Sequence, residues 1–111
     1  MIKKLVTITA LAMLLGSPIS YADIITGNGL VTMCEARDKG VSDGFCSGYI
    51  AGVSLLMTWA LPDFRICPDG STLRQHESIV RKFLKENPEE LHKRADMLVI
   101  FALAPVFPCP D

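Results

Sequence analysis

The sequence predicts an all-α fold, a small four-helix domain stapled by two disulfides, and three observations carry that prediction. Apolar residues recur three and four positions apart in four stretches, and none shows the strict alternation of a half-buried strand. Helix-starting and helix-stopping residues fall between those stretches. Four cysteines, Cys34, Cys46, Cys67 and Cys109, make an even count in a short chain, which is the pattern of a disulfide framework.

The first helix is expected from a cap at Asn28 to about Arg37. Leu30, Met33, Cys34 and Arg37 fall on one side, so Cys34 points inward with the leucine and methionine. Lys39-Gly40 ends it, and Ser42 or Asp43 caps the next. The second helix runs from about Gly44 to Leu61 and stops at Pro62. Phe45, Tyr49, Val53, Leu56 and Ala60 share its expected core face, flanked by Gly48, Gly52, Leu55 and Trp59 on one side and Ile50 and Met57 on the other. Only Ser47, Ser54 and Thr58 form a polar strip, so this helix must meet partners on more than one side.

After a loop over residues 62–70, Thr72-Leu73-Arg74-Gln75 reads as a capping box opening a third helix to about Glu86. Leu73, Val80, Phe83 and Leu84 are its expected core side, with Arg74, Ser78, Arg81 and Lys85 facing away. Asn87-Pro88-Glu89-Glu90 then reads as the start of a fourth helix, with Asn87 as cap and Pro88 at the first helical position, running to about Ala104. Leu91, Ala95, Leu98, Val99, Ala102 and Leu103 form its core stripe, and Met97, Ile100, Phe101 and Ala104 form a second apolar side.

That helix order selects one of the three possible cysteine pairings. Cys34 ends the first helix and Cys46 starts the second, so a tight hairpin joins them. Cys67 precedes the third helix and Cys109 follows the fourth, so an antiparallel pair brings those ends together. Zinc, thioredoxin-like redox chemistry and covalent haem all lack support, because no Cys-x-x-Cys is present and His76 and His92 stand at no ligand spacing to a cysteine.

The N-terminus has the layout of a secretory leader. Lys3 and Lys4 precede an uncharged, mostly apolar run from Leu5 to Gly16; Pro18 breaks it, and Ser20-Tyr21-Ala22 is a small-x-small cleavage site. Residues 1–22 are therefore expected to be removed, leaving one domain over residues 23–111 in an oxidising compartment. The whole chain carries a net charge of −1, and losing the two lysines makes the remainder more acidic, with no basic patch for nucleic acid. The uncharged stretch from Gly44 to Pro62, with glycines four apart, is also long enough to be considered as a membrane span. Spanning would leave Cys34 outside and carry Cys67 and Cys109 into a reducing cytoplasm, so stable membrane insertion is not expected.

No catalytic constellation is legible. The cysteines are expected to be oxidised, the helix-face hydroxyls have no histidine near them in sequence, and His76 and His92 read as structural. No glycine-rich phosphate loop or other cofactor motif is present, since Gly48 and Gly52 sit inside a helix. These features favour a binding protein over an enzyme.

"LVTMC" at 30–34, "FCSGYIAG" at 45–52, Cys67-Pro68 with Gly70 and Thr72, Phe83-Leu84 before Asn87-Pro88-Glu89, and the closing Phe107-Pro108-Cys109 follow one another in an order that resembles the Rap/Tai family of periplasmic immunity proteins. The resemblance spans most of residues 23–111. It implies an all-helical homodimer that binds a papain-like peptidoglycan amidase delivered by a type VI secretion system and obstructs its cleft. "HKRADM" and Leu61-Pro62-Asp63-Phe64 depart from the pattern, and such parts are suited to set which effector is recognised. On this reading Gly48, Gly52, Met97, Ile100 and Phe101 serve the dimer, because homodimer interfaces run apolar. Trp59, Phe64, Arg74, Ser78, Arg81 and Lys85 serve the effector, because aromatic and arginine anchors dominate interface energetics. A small disulfide-bonded periplasmic acid-stress chaperone is the alternative, and it would monomerise and expose apolar surface at low pH.

The protein expressed with its leader should begin at Asp23 by intact mass and stay in the supernatant after alkaline carbonate extraction. An uncleaved mass, or a pelleted protein, would contradict the leader reading.

Overall fold

The computed structural model describes residues 25–35 and 41–111, so the leader, the expected end of the first helix at Arg37 and the Lys39-Gly40 stop lie outside the described residues. Among the described residues there are four α-helices: α1 (Gly27–Glu35), α2 (Val41–Trp59), α3 (Leu73–Glu86) and α4 (Ala95–Leu103). Short 3-10 turns cover Pro62–Phe64 and Pro88–Glu90. No strand is present among them, only an isolated antiparallel bridge between Thr26 and Arg94. Each helix packs against the other three. Both disulfides pair as expected, Cys34 with Cys46 and Cys67 with Cys109. They close 12- and 42-residue separations, for which loop-closure entropy gives about 3 and about 4 kcal/mol. None of the described helices is long and apolar enough to cross a membrane.

α1 buries Leu30 and Cys34, while Met33 is exposed rather than inward. Its cap is Thr26, not Asn28: the Thr26 carbonyl accepts from the Leu30 amide at 3.0 Å, and its Oγ1 accepts from the Gly29 amide at 3.3 Å. Asn28 is already helical, and its amide is held by the Leu91 carbonyl at 2.9 Å.

α2 begins at Val41, ahead of Ser42 and Asp43. From Gly44 onward its buried residues are Cys46, Ile50, Ser54 and Met57. The face expected to be the core, from Phe45 to Ala60, is rotated to the flank: Phe45, Tyr49 and Val53 are half-buried, and Leu56 and Ala60 are exposed. The physical reason is that a helix apolar nearly all round has little intrinsic preference for one side. The bond from Cys46 to α1 selects the side instead. The helix ends as the Leu56 carbonyl accepts from both Ala60 and Leu61, and the chain folds back so that the Ile66 amide reaches the Met57 carbonyl at 3.0 Å.

α3 opens on the expected capping box, with the Gln75 amide donating to Thr72 Oγ1 at 3.3 Å and the Thr72 amide to Gln75 Oε1 at 2.7 Å. Its buried side is His76, Val80 and Leu84, with Phe83 half-buried; Leu73, expected inside, is 41% exposed. Asn87 closes this helix rather than opening the next, through its amide and its Nδ2, both donating to the Phe83 carbonyl.

The expected continuous helix from Pro88 does not form. The chain makes one 3-10 turn, breaks over residues 91–94, and becomes helical only at Ala95. The Leu91 and Lys93 carbonyls are turned toward the start of α1, where they accept from the amides of Asn28 and Gly27, and the Ala95 amide donates to the Ile25 carbonyl at 2.8 Å. A continuing helix would have needed those carbonyls along its own axis. Arg94 sits in the break with extended backbone and holds Asp96 through two hydrogen bonds. α4 is buried nearly all round: Ile100, expected on a free side, is 5% exposed and belongs to the core with Leu98, Val99, Ala102 and Leu103.

Gly27 is where the two segments meet most closely. A Cβ there would lie 2.5 Å from Leu98 Cδ1, 2.9 Å from Leu91 Cα and 3.0 Å from the Leu91 oxygen. Gly48 and Gly52 have no neighbour within 4 Å of such a Cβ. Gly27→Ala should therefore destabilise the fold by roughly 1–3 kcal/mol through overpacking. Gly48→Ala should stabilise the monomer by about 0.5–1 kcal/mol. Urea denaturation of the two variants measures both signs, and equal effects would contradict the packing contrast.

Candidate functional site

The rotation of α2 puts an unusual surface outside. At about 100° per residue, Gly48, Gly52, Leu55 and Trp59 lie roughly 180–240° round the helix from Cys46, directly away from the core. Trp59 is 73% exposed and Leu55 59%, and the two glycines carry no side chain to shield the backbone between them. Leu56 widens the stripe, at 47% exposed. Trp59, assigned from the sequence to the effector, is therefore brought onto the same stripe as the glycines assigned to the dimer. Beside its end, Thr58, Trp59, Leu61, Pro62 and Arg65 line a small pocket of about 210 Å³. Phe64 follows in the 3-10 turn, 37% exposed.

The other residues expected at the dimer contact do not act together. Ile100 is used inside the chain, Met97 is half-buried against the core, and Phe101 is exposed. A single core-facing stripe with a free back was too simple for a helix as short and apolar as α4.

α3 presents the second surface. Arg74, Ser78, Arg81 and Lys85 fall at i, i+4, i+7 and i+11, and all four are exposed on one side of the helix. Among the described residues none of Arg74, Arg81 and Lys85 is ion-paired, whereas their neighbour Lys82 faces Glu86. Two grooves flank the stripe. Arg74 and Ser78 border a groove of about 720 Å³ between the start of α3 and the C-terminal tail, lined also by Ser71, Gln75, Val106 and Phe107. Arg81 and Lys85 border a pocket of about 270 Å³ whose apolar wall includes Val31, Cys34, Leu84 and Leu91. Arg81 Nη2 also lies 3.9 Å from Cys46 Sγ, which ties this cation to the staple beneath it.

Behind the larger groove, and reaching it at Ser71, runs a polar chain that sequence reasoning missed. His76, 7% exposed, has Nε2 2.7 Å from Ser71 Oγ and Nδ1 3.1 Å from Ser54 Oγ. Ser54 Oγ in turn lies 2.7 Å from the Ile50 carbonyl, and Ser71 Oγ 2.6 Å from that of Pro68. The imidazole packs on Phe107, with ring centroids 4.9 Å apart. Burial pushes the His76 pKa below the usual imidazole value. Ser54 belongs to the polar strip expected on α2, and the capping box that ends at Gln75, directly before His76, is the available clue to an ordered helix start here. Among the described residues no buried side-chain oxygen or nitrogen is left without a partner, and no three His, Cys, Asp or Glu side chains gather as a metal site requires.

These surfaces suit protein–protein contact: one apolar stripe with bare backbone at its centre, and one cationic stripe between grooves. Alanine substitution at Trp59, Arg74 or Lys85 should leave stability within about 0.5 kcal/mol, as for surface positions without structural partners. A larger loss in denaturant melts would show these side chains to be structural. A family model, described as Rap1a immunity proteins, matches residues 26–109 of the chain. No curated protein and no solved structure matches it.

Proposed function

Because the chain belongs to the Rap1a immunity protein family, we propose that it binds and inhibits a peptidoglycan amidase effector of a type VI secretion system, in the periplasm, and so protects the producing cell from wall lysis. The family match over residues 26–109 carries this reading. The leader pattern and the two disulfides agree with export to an oxidising compartment. The two free surfaces agree with a chain whose work is contact.

The α3 stripe is the better effector surface. Its three exposed cations offer steering and orientation to an acidic region of a partner, and Ser78 and the grooves on either side offer shape. The α2 stripe is the better homodimer surface. Two copies meeting across Gly48 and Gly52 would approach backbone to backbone, with Leu55 and Trp59 filling the flanks. A two-fold contact uses the same patch on both copies, and a straight glycine stripe is self-complementary. Trp59 then belongs to the dimer, Ile100 leaves it, and Phe64 stays with the effector surface.

Periplasmic co-expression with candidate amidases, scored by rescue from lysis, tests the function; failure against every amidase encoded beside the gene would overturn it. Reversing Arg74, Arg81 and Lys85 together to glutamate should weaken effector binding at least about tenfold, or about 1.4 kcal/mol, with the dimer intact. Gly48→Leu should shift light-scattering mass toward the monomer with the fold intact. A dimer unaffected by that change would place the contact elsewhere.

A further inference from the structure

We infer that Ser54, His76 and Ser71 form a proton-operated clasp, which ties the C-terminal tail to the start of α3 and controls the shape of the groove above them. The inference rests on the fold and is independent of which effector is bound.

Four hydrogen-bond contacts run in series: Ile50 carbonyl to Ser54, Ser54 to Nδ1, Nε2 to Ser71, and Ser71 to the Pro68 carbonyl. Carbonyls only accept, so in the complete chain each serine gives its one proton to its carbonyl. Both serine oxygens then face the ring as acceptors. A neutral imidazole has one N–H and one lone pair, so it closes only one of the two ring contacts. The other closes when a serine hydroxyl leaves its carbonyl and donates to the ring. The imidazolium donates through both nitrogens and closes all four at once.

The charged ring gains a hydrogen bond but, among the described residues, has no counter-ion. From α2 it faces Ser54, and residues 44–61 contain no charged side chain. From the loop before α3 it faces Ser71, with Arg65 and Asp69 exposed. From the tail it faces Phe107, with Asp111 exposed, and on α3 itself Arg74 is exposed and Glu77 half-buried. α4 contributes no nearer charge, since Asp96 is held by Arg94. Burial shifts the ring, downward. The folded state therefore prefers the neutral ring. Its stability is complete above the unfolded value of about 6.5, falls as pH drops from there to the folded pKa, and is flat below it.

The loss has a location. Ser54 is enclosed within α2, whereas Ser71 and Phe107 line the groove and are only half-buried. Water reaches a charged ring most readily by displacing that side. The Cys67–Cys109 bond holds the tail across the opening, beside the bond from the Cys67 amide to the Phe107 carbonyl. Acid then opens the groove locally and reversibly.

NMR titration of the uniformly labelled mature protein from pH 7.5 to 4.5 tests the clasp. The His76 ring should titrate below 6.5, and the amides of residues 67–72 and 105–109 should move with the same midpoint while those of residues 27–35 do not. His76→Gln should abolish the shared midpoint. Ser71→Ala, which removes the hydroxyl that water must displace and so relieves the burial of the charged ring, should raise the His76 midpoint toward 6.5, and it serves alone if His76→Gln does not fold. A ring titrating at or above 6.5, or tail amides that ignore it, would overturn the clasp.

Discussion

The bond between Cys34 and Cys46 decides more of this molecule than its size suggests. α2 is 19 residues long and apolar almost all round, so hydrophobic burial alone leaves its rotation nearly free. Linking Cys46 to α1 points one edge of the helix inward and carries Ile50 and Met57 with it into the core. Two consequences follow on opposite sides. Ser54 is turned beneath His76, and Gly48, Gly52, Leu55 and Trp59 are turned out to solvent. A polar buried chain and an apolar exposed stripe thus have one cause.

A second constraint works through the backbone. The Ile25–Asn28 segment and the Leu91–Ala95 segment exchange three hydrogen bonds: Gly27 and Asn28 donate with amides that the first turn of α1 leaves free, while Leu91 and Lys93 give up carbonyls that a continuing helix would have used. That exchange anchors the start of α1 to the start of α4 and shortens the last helix. It also explains Gly27, the one described glycine whose missing Cβ makes room for another backbone. Glycine serves two unlike ends in this chain: at Gly27 it permits packing already made, and at Gly48 and Gly52 it leaves a surface on which packing between molecules can be made.

The functional reading and the clasp occupy neighbouring ground. Arg74 and Ser78 border the groove whose floor is Ser71 and Phe107, and both of those touch His76. A partner using the α3 stripe would rest beside the groove that the proposed clasp controls. Arg74, Arg81 and Lys85 lie outside that network, so on the proposed reading affinity and its pH dependence are separable properties of adjacent residues.

The sequence by itself determined the helical class, the disulfide pairing and the α3 capping box, because these depend on local spacing and on chain order. The outward stripe of Arg74, Ser78, Arg81 and Lys85 was legible for the same reason: α3 is strongly two-sided, so its periodicity says which side is wet. Periodicity failed where a helix has no clear polar side. α2 was rotated away from its expected face, and Ile100 on α4 was placed outside when it is inside. Asn87-Pro88 misled because the same residues suit the end of one helix and the start of another, and only the contact with Ile25–Asn28 selects the first. Only the tertiary structure brought Ser54 to His76 across 22 residues of chain. Which side of an apolar helix is buried, and which distant groups share a proton, are set by covalent and hydrogen-bonded partners that local spacing does not encode.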